Sequence, residues 1–439
     1  MGRIKYLLII ALSVLSGCAS IQHMDQADEL SSYQLYIDST GDLLDPRNEK
    51  VIKDEDPYVK NIVDNFKSKK SQNPDLKMTI FIHGGLNSFE NATDRVKRVK
   101  DSMLMDNKYP VFISWRSGGF SNYSDHLVSI RRGEKRNWFV GGITSPFVFA
   151  EDALRSLARA PASTYNVLFG QNSIRIGKYS KEEQYSDKAL AELNKLGFIV
   201  YNSPNDTGHG VGDFWSVWNP VKLVTAPFVD GLGTGAWNSM LRRTDLVLRR
   251  NDGFNGISEE KSDTAVTNFF KRLSSDLNDE ELILIGHSMG TIIANNIIAR
   301  FQELNFKEIV YMAAACSIKD VELVVPPYMQ KNTDTKFYSL SLNPYRDMTE
   351  NSLLDFVPRG SLLVWIDDTL GATNSFQDKT AGFWFNMVRG ASEAFKNPSI
   401  RNRVHLTQFG IKDGTPQTHG AFGDYEFWDE RFWQGDVPL

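Results

Sequence analysis

Short, nearly continuous apolar runs alternate with amphipathic stretches along much of this chain of 439 residues. Residues 78–82, 111–115 and 282–285 are such runs, and their composition is typical of strands buried on both faces of a sheet. Residues 87–105 and 262–275 instead repeat their apolar positions with the period of a helix. This alternation predicts an α/β fold, with a mostly parallel sheet that is covered by helices on both faces.

The alternation extends towards both ends of the chain. An alternating run at 33–37 predicts a first strand, and residues 57–69 predict the first helix. Three later strands are expected at 308–314, 336–342 and 403–409. The second half of the chain therefore continues the sheet that the first half begins.

Residues 131–245 interrupt this rhythm and are rich in aromatic side chains, which include Trp215 and Trp237. Those side chains would line an acyl pocket, rest on a membrane surface or form a small core of the insertion's own. The expected organisation is a leader at 1–17, a tether with the first strand and helix at 18–75, the first half of the core at 76–130, the insertion at 131–245 and the second half of the core at 246–439.

The N-terminal residues have the pattern of a bacterial secretion signal. Arg3 and Lys5 precede the apolar run 6–15, which is too short to span a bilayer as a finished helix. The run ends in Leu-Ser-Gly-Cys, which resembles the lipobox of bacterial lipoproteins and implies that Cys18 is lipidated. Ala19 stands where an inner-membrane retention signal would have Asp, so we expect an outer-membrane lipoprotein that faces the periplasm. The alternative is an ordinary secretory signal in which Cys18 is incidental.

Charge and cysteine usage narrow the classes of function. The formal net charge is −5, and no basic tract is large enough to make nucleic acid an expected partner. Once Cys18 is lipidated, Cys316 is the one cysteine left, so we expect no intrachain disulfide. Cys316 ends an apolar run, which predicts a small buried side chain. His23, His126 and His209 show no spacing to other possible ligands that is typical of a metal site.

The stretch Gly286-His287-Ser288-Met289-Gly290 has the form G-x-S-x-G and lies between a predicted strand and a predicted helix. In that context the motif forms a sharp turn that presents the serine hydroxyl above the sheet. The N-terminus of the following helix favours negative charge that develops beside the serine. The pattern predicts that Ser288 is a nucleophile, and the alternative is a structural turn.

A serine hydroxyl becomes a good nucleophile when a base takes its proton, and histidine is the base that this chemistry uses. Two histidines follow Ser288 in the sequence. His405 lies within the predicted strand 403–409, whereas His419 lies in a loop just beyond that strand, where the base belongs. We therefore predict His419 as the base, and its alternative role is that of a surface loop residue.

An acid would orient the histidine and stabilise its charged form. Asp347 comes shortly after the predicted strand 336–342, at the carboxyl end where the acid is expected. Asp320 follows the preceding strand and is the first alternative. Asp367 and Asp368 are further alternatives, since they follow another apolar run.

Two backbone N–H groups would bind the oxyanion of the tetrahedral intermediate, and the first belongs to Met289. The predicted strand 78–82 leads into His83-Gly84-Gly85, which resembles the oxyanion loop of bacterial lipases and esterases. This resemblance implies that Gly85 is the second donor. His83 precedes the serine in the chain, so we expect it to brace the loop rather than to act as the base.

Together these motifs resemble an α/β-hydrolase serine esterase or lipase. The stretch 112–118, together with Tyr123 and Asp125, also resembles bacterial α/β hydrolases of uncharacterised function. Those proteins have a Ser-Trp-Pro-Ser-Gly stretch here, and Arg116 replaces their proline. The resemblance implies an α/β-hydrolase fold with a cap in the insertion, an ester or acyl substrate, an acyl-enzyme on Ser288, and neither a metal nor an organic cofactor. The alternative is a hydrolase-fold envelope lipoprotein that acts by binding.

Overall fold

The computed structural model describes residues 30–85, 87–128, 130–131, 134–135, 138–165, 179–202, 220–251, 261–350, 357–371, 373–410 and 414–436. Cys18, Trp215 and the expected leader at 1–17 lie outside these ranges, so the predictions made for them are not addressed by the structure. The candidate catalytic residues all lie within them.

A nine-stranded sheet forms the centre of the molecule. The strands of the chain are β1 (Gln34–Ile37), β2 (Leu43–Leu44), β3 (Lys77–Ile82), β4 (Lys108–Trp115), β5 (Ile130–Arg131), β6 (Glu134–Lys135), β7 (Ile199–Asn202), β8 (Arg249–Asn251), β9 (Lys261–Asp263), β10 (Leu282–His287), β11 (Phe306–Met312), β12 (Lys336–Ser341) and β13 (Val404–Gln408). The central sheet has the order β2-β1-β4-β3-β10-β11-β12-β13-β7. Its neighbouring strands are parallel, except that β2 is antiparallel to β1. β5 pairs with β6 and β8 with β9 outside this sheet.

Helices flank the sheet in several groups. They are α1 (Glu55–Gln72), α2 (Phe89–Met105), α3 (Gly119–Val128), α4 (Trp138–Tyr165), α5 (Tyr179–Lys195), α6 (Pro220–Leu246), α7 (Ala265–Asp276), α8 (Gly290–Arg300), α9 (Ile318–Lys331), α10 (Pro344–Thr349), α11 (Leu362–Trp365), α12 (Trp384–Ala394), α13 (Pro398–Arg401) and α14 (Glu430–Trp433). α1 packs against α7, α9 packs against both α8 and α12, and α4 packs against α6. Ile366–Leu370 forms a π-helical turn, and Phe376–Asp378 and Ala421–Asp424 form 3-10 turns.

The predicted α/β architecture with a mostly parallel sheet is confirmed. The strands coincide with the predicted apolar runs because a strand covered on both faces has no solvent side that favours polar residues. β10, for example, is buried at every position. The predicted helices over 57–69, 87–105 and 262–275 are observed as α1, α2 and α7, with ends that differ by a few residues.

β7 comes from within the insertion predicted at 131–245. It pairs in parallel with β13 and forms the outer strand at that end of the sheet. The helix before it, α5, packs against α12. Residues 179–202 therefore belong to the core, whereas α3, α4 and α6 pack mainly on one another.

The carboxyl ends of β3, β10, β12 and β13 lie at one edge of the sheet, because these strands are parallel. β3 leads into the predicted oxyanion loop, and β10 leads into Ser288. β12 leads towards Asp347, and β13 leads into the segment that carries His419. In open α/β sheets, ligands bind outside this edge. The fold thus brings all four predicted site segments to one side of the molecule.

Candidate active site

Ser288 occupies the sharp turn between β10 and α8. Its backbone φ is +52°, a value that residues with side chains seldom adopt and that occurs at strained functional turns. The Ser288 N–H donates to the Met312 carbonyl of β11 at 2.8 Å, so the neighbouring strand holds the turn. The predicted strand–turn–helix context of the motif is therefore present.

Gly290 allows α8 to begin close to the end of β3. A Cβ at this position would lie 2.2 Å from the Ile82 carbonyl oxygen and 2.8 Å from the His83 carbonyl oxygen. Both atoms belong to the backbone that leads into the predicted oxyanion loop, so a side chain at residue 290 would push this loop and the serine turn apart. The last glycine of the motif is thus required by packing.

His419 lies beside Ser288. The distance between His419 Nε2 and Ser288 Oγ is 2.7 Å, which is within hydrogen-bond range, and both side chains are buried. His405, the alternative base, lies in β13 and stacks on Tyr338 and Tyr201, with ring centroids 4.3 Å and 6.1 Å away. Of the two histidines, the structure brings His419 to the serine.

Two side chains that the sequence analysis did not single out hold the backbone of His419. His287 places its Nε2 atom 2.8 Å from the His419 carbonyl oxygen, and this nitrogen carries the proton because a carbonyl can only accept. The His419 N–H donates to the Glu350 carboxylate at 2.8 Å. His287 is a variable position of the G-x-S-x-G motif and Glu350 follows the last residue of α10, so neither belonged to a recognisable pattern.

Burial determines the protonation of these histidines. It lowers the pKa of His419 to about 3 and that of His287 to about 4, because the charged form loses its hydration. Near neutral pH, His419 is therefore uncharged and able to accept a proton. When its Nε2 atom accepts from the Ser288 hydroxyl, its Nδ1 atom carries the ring proton. Nδ1 has no hydrogen-bond partner among the described residues.

Asp347 is fully buried in α10. Burial raises the pKa of this carboxyl well above its usual value. In the described ranges, neither of its carboxylate oxygens accepts a hydrogen bond of good geometry, although the nearby Ser361 hydroxyl opposes the rise in pKa. The same short helix is followed by Glu350, which contacts the backbone of His419. Asp347 is thus linked to the candidate base through the short segment that it shares with Glu350.

The alternative acids lie elsewhere. Asp320 is exposed and accepts a hydrogen bond of 2.9 Å from a backbone N–H, within the capping box that begins α9. Asp367 accepts from the Thr380 N–H at 2.8 Å and from the Asn386 side chain at 2.6 Å. Asp368 is exposed. The hydrogen bonds of Asp320 and Asp367 are therefore structural, and Glu350 is the carboxylate that contacts the candidate base.

His83 and Trp115 brace the loop after β3. The Trp115 N–H donates to His83 Nε2 at 3.0 Å, so Nδ1 carries the ring proton and donates to the Gly84 carbonyl at 2.6 Å. The two rings stack with 5.9 Å between their centroids. The Asn87 side chain donates to the same carbonyl at 3.1 Å. His83 therefore has the bracing contacts that the sequence led us to expect.

Gly85 and Met289, the predicted oxyanion donors, lie next to each other. A Cβ at Gly85 would lie 2.8 Å from Met289 Sδ, and 2.5 Å from the Cε atom of Met240 in α6. Within the described part of the chain, neither backbone N–H of this pair donates a hydrogen bond. Two free donors beside the serine turn are what an oxyanion site requires.

A cavity of about 270 Å³ opens onto the serine–histidine pair. This volume lies near the lower limit for small-molecule sites. Leu362 and Trp365 of α11 supply apolar wall, and Glu350 and Arg95 supply charged wall. The Nε and Nη1 atoms of Arg95 are buried without a hydrogen-bond partner among the residues that the structure describes. Arg95 was not singled out from the sequence, because it lies on an amphipathic helix with several other basic residues.

The aromatic residues of the insertion have no demonstrated part in this cavity. Its described lining residues include none from 131–245. Trp237 is buried in the hydrophobic core, and Trp215 lies outside the described residues. The insertion reaches the site through Met240, which packs behind Gly85.

Comparisons with family models, with curated proteins and with solved structures gave no match. In the described part of the chain, no helix is long and apolar enough to cross a membrane. The side chains around Ser288 are therefore the observations from which a function can be inferred.

Proposed function

We propose that this chain is a serine hydrolase with the α/β-hydrolase fold, and that it cleaves a carboxylic ester or thioester. The observation that carries the proposal is the 2.7 Å contact between Ser288 Oγ and His419 Nε2, with the serine on a strand-to-helix turn. The free N–H groups of Gly85 and Met289 and the adjoining cavity supply the further requirements of acyl transfer. This chemistry requires neither a metal ion nor an organic cofactor.

In the first half of the reaction, Ser288 Oγ attacks the carbonyl carbon while its proton passes to His419 Nε2. The carbonyl oxygen becomes an oxyanion that accepts hydrogen bonds from the N–H groups of Gly85 and Met289. The C–O or C–S bond of the substrate then breaks, and His419 gives the proton to the leaving alcohol or thiol. Water attacks the acyl-enzyme by the same route, and the acid is released.

We assign the third role to Asp347. When His419 accepts a proton, its ring becomes a buried cation, which an ionised carboxylate near Nδ1 would stabilise. The support is that His419 Nδ1 lacks a partner among the described residues, and that Asp347 is buried in the short helix after β12, three residues before the Glu350 that contacts the His419 backbone. Glu350 already accepts from the His419 N–H, so its contact orients the loop rather than the ring.

Labelling with a fluorophosphonate tests the proposal. The variants are Ser288→Ala and, as a matched control, Ser71→Ala, which removes an exposed serine of α1. Wild type and the control should be labelled and should hydrolyse p-nitrophenyl esters, whereas Ser288→Ala should lose the label and at least ~10³-fold of the activity. Labelling that persists in Ser288→Ala would contradict the assignment. A folded wild type that is neither labelled nor active would favour a binding protein built on this scaffold.

We also propose that the protein is a bacterial outer-membrane lipoprotein anchored through Cys18. The support is the sequence pattern, since Cys18 lies outside the described residues. Mass spectrometry of the membrane fraction should find an acylated cysteine 18 at the mature N-terminus, and Cys18→Ser should leave the chain unprocessed. A wild-type chain that is soluble and unmodified would contradict this proposal.

A further inference from the structure

The helices α4 and α6 expose an unusual number of large apolar side chains. On α4, Phe147 is 74% exposed and Leu154 is 66% exposed. The further exposed apolar residues of α4 include Phe139, Val140, Ile143, Phe149 and Leu157, and those of α6 are Val221, Val224 and Phe228. Positions 143, 147, 154 and 157 are separated by three, four or seven residues and so share one face of the helix. Exposed apolar surface of this kind marks an interaction site.

Polar side chains are buried where α4 packs on α6 and on α3. Asp230 of α6 is buried and accepts hydrogen bonds from Arg159 at 2.9 Å and from Ser163 at 2.8 Å, both of α4. Asp152 of α4 is buried and accepts from the Tyr123 hydroxyl of α3 at 3.1 Å. Helices of water-soluble proteins bury their apolar face and expose their polar face. On α4, large apolar side chains are exposed while Asp152, Ser156 and Ser163 are buried, although Glu151 and Arg155 are exposed as well.

Small residues allow α4 and α6 to approach closely. A Cβ at Gly231 of α6 would lie 1.9 Å from Ser156 Oγ of α4, so the helices meet backbone to backbone at this point. The Ser156 hydroxyl donates within its own helix, to the Asp152 carbonyl at 2.9 Å. Small residues and polar contacts between helices, combined with apolar side chains on the outside, are typical of helices that face lipid.

A basic segment directly precedes the apolar part of α4. Residues 130–137 contain four basic residues and one acidic residue, in a chain whose formal net charge is −5. Arg131 and Lys135 of this segment lie on the β5–β6 pair. Residues 138–150, which follow, contain no charged side chain. Such a sequence suits an anionic lipid surface. The negative headgroups attract the basic residues, and the boundary of the acyl chains accepts the apolar side chains.

We propose that α4 and α6 dock onto an anionic lipid surface, with the exposed face of α4 in the headgroup and acyl boundary. The helices would lie in the interface, because the polar side of α4 is already covered by α6. A second copy of the chain fits this surface less well, because it carries the same excess of positive charge in the sequence that leads into α4, whereas an anionic surface carries the opposite charge. The docking depends neither on the chemistry of Ser288 nor on an anchor at Cys18.

Position-specific fluorescence tests the docking. Full-length chains carry Cys18→Ser together with Phe147→Cys, Leu154→Cys or, as the matched control, Leu323→Cys. Leu323 is exposed to a similar degree, 63%, but lies on α9 of the core. The native Cys316 is buried and stays unlabelled. Each variant is labelled with the environment-sensitive dye NBD and mixed with vesicles of phosphatidylethanolamine and phosphatidylglycerol, or of phosphatidylcholine alone.

With the anionic vesicles, the dye at 147 and at 154 should shift to shorter wavelength and gain intensity several-fold, while the dye at 323 should not change. The N-terminal segment is the same in all three chains, so it cannot produce a difference between positions. Absent responses, or equal responses at all three positions, would overturn the docking. A shift that grows with protein concentration without vesicles would replace lipid by a second copy as the occupant. Equal responses to both kinds of vesicle would overturn the role of the basic segment.

Discussion

His287 holds the candidate base through one buried hydrogen bond, from its Nε2–H to the His419 carbonyl. His287→Leu would leave that carbonyl unsatisfied, at a cost of about 1–3 kcal/mol, and would release the loop from the serine. We expect this variant to lower kcat about ten-fold or more with little change in KM. His287→Gln keeps an N–H donor and should retain more of the activity. Steady-state hydrolysis of a p-nitrophenyl ester measures both variants, and equal losses in the two would exclude the hydrogen bond as the cause.

Substitutions of Asp347 and Glu350, which lie on one short segment, are predicted to differ in their effect on activity. Asp347→Asn removes a carboxyl group that, once ionised, would stabilise the protonated ring, so we expect kcat to fall by ~10³-fold or more. Glu350→Gln keeps an oxygen that can accept from the His419 N–H, so we expect a loss of about ten-fold or less. Circular dichroism would establish that both variants are folded. A larger loss in Glu350→Gln than in Asp347→Asn would make Glu350 the acid.

The role of a residue could be predicted from the sequence where a motif fixes both its residue type and its place in the fold. Ser288 and His419 follow from such patterns, because the turn and the loop after the last strand fix where each side chain lies. His287 and Glu350 act through contacts with the backbone of a residue far away in the chain, and no spacing in the sequence encodes such a contact. Arg95 was equally hidden, since its neighbours Lys97 and Arg98 give the same helix a general basic character.

At the scale of elements, the junction of β10 with α8 depends on the absence of a side chain at residue 290. Gly290→Ala would place a methyl group against the carbonyls of Ile82 and His83, so we expect a loss of about 1–3 kcal/mol in the free energy of unfolding. Labelling by fluorophosphonate should also slow, because the serine turn and the oxyanion loop move apart. Gly142→Ala on α4 is the control, since a Cβ there meets no atom within 4 Å. Urea unfolding compares the two, and equal stabilities would contradict the close packing.

Strands could be predicted from the sequence wherever both faces of the strand are buried. Strands such as β3 and β10 appear in the sequence as nearly continuous apolar runs, and the structure has them within a residue or two of the predicted ends. β7 was missed because it is four residues long and lies at the edge of the sheet, where the signal of two-sided burial is weak. For the aromatic residues of the insertion, the sequence left an acyl pocket, a membrane surface and a small core as alternatives, since sequence alone does not tell which face of a helix is covered.

For the whole molecule, two sets of buried groups oppose each other as the pH falls. Burial lowers the pKa of His83, His287 and His419, so their protonation favours the unfolded chain in acid. Burial raises the pKa of Asp347 and Asp367, the latter to about 6, so the protonation of these two groups favours the folded chain. The pH dependence of stability in the wild type alone would therefore not identify the contribution of any one group. Comparing the pH dependence of wild type with that of a variant changed at one residue would identify it.

His405 is suited to that comparison, because it lies in β13 away from the serine. Burial lowers its pKa from 6.5 to about 4, so its contribution to stability is fully present above pH 6.5 and is lost as the pH falls from 6.5 to 4. The loss amounts to about 2 kcal/mol once partial hydration of the ring is allowed for.

His405→Phe keeps an aromatic ring to stack on Tyr338 and Tyr201 but cannot titrate. Thermal unfolding across this range should therefore show a smaller acid-induced fall in Tm for His405→Phe than for wild type, whereas Tyr201→Phe should follow the wild-type slope. Parallel curves for wild type and His405→Phe would mean that His405 does not take up a proton on unfolding.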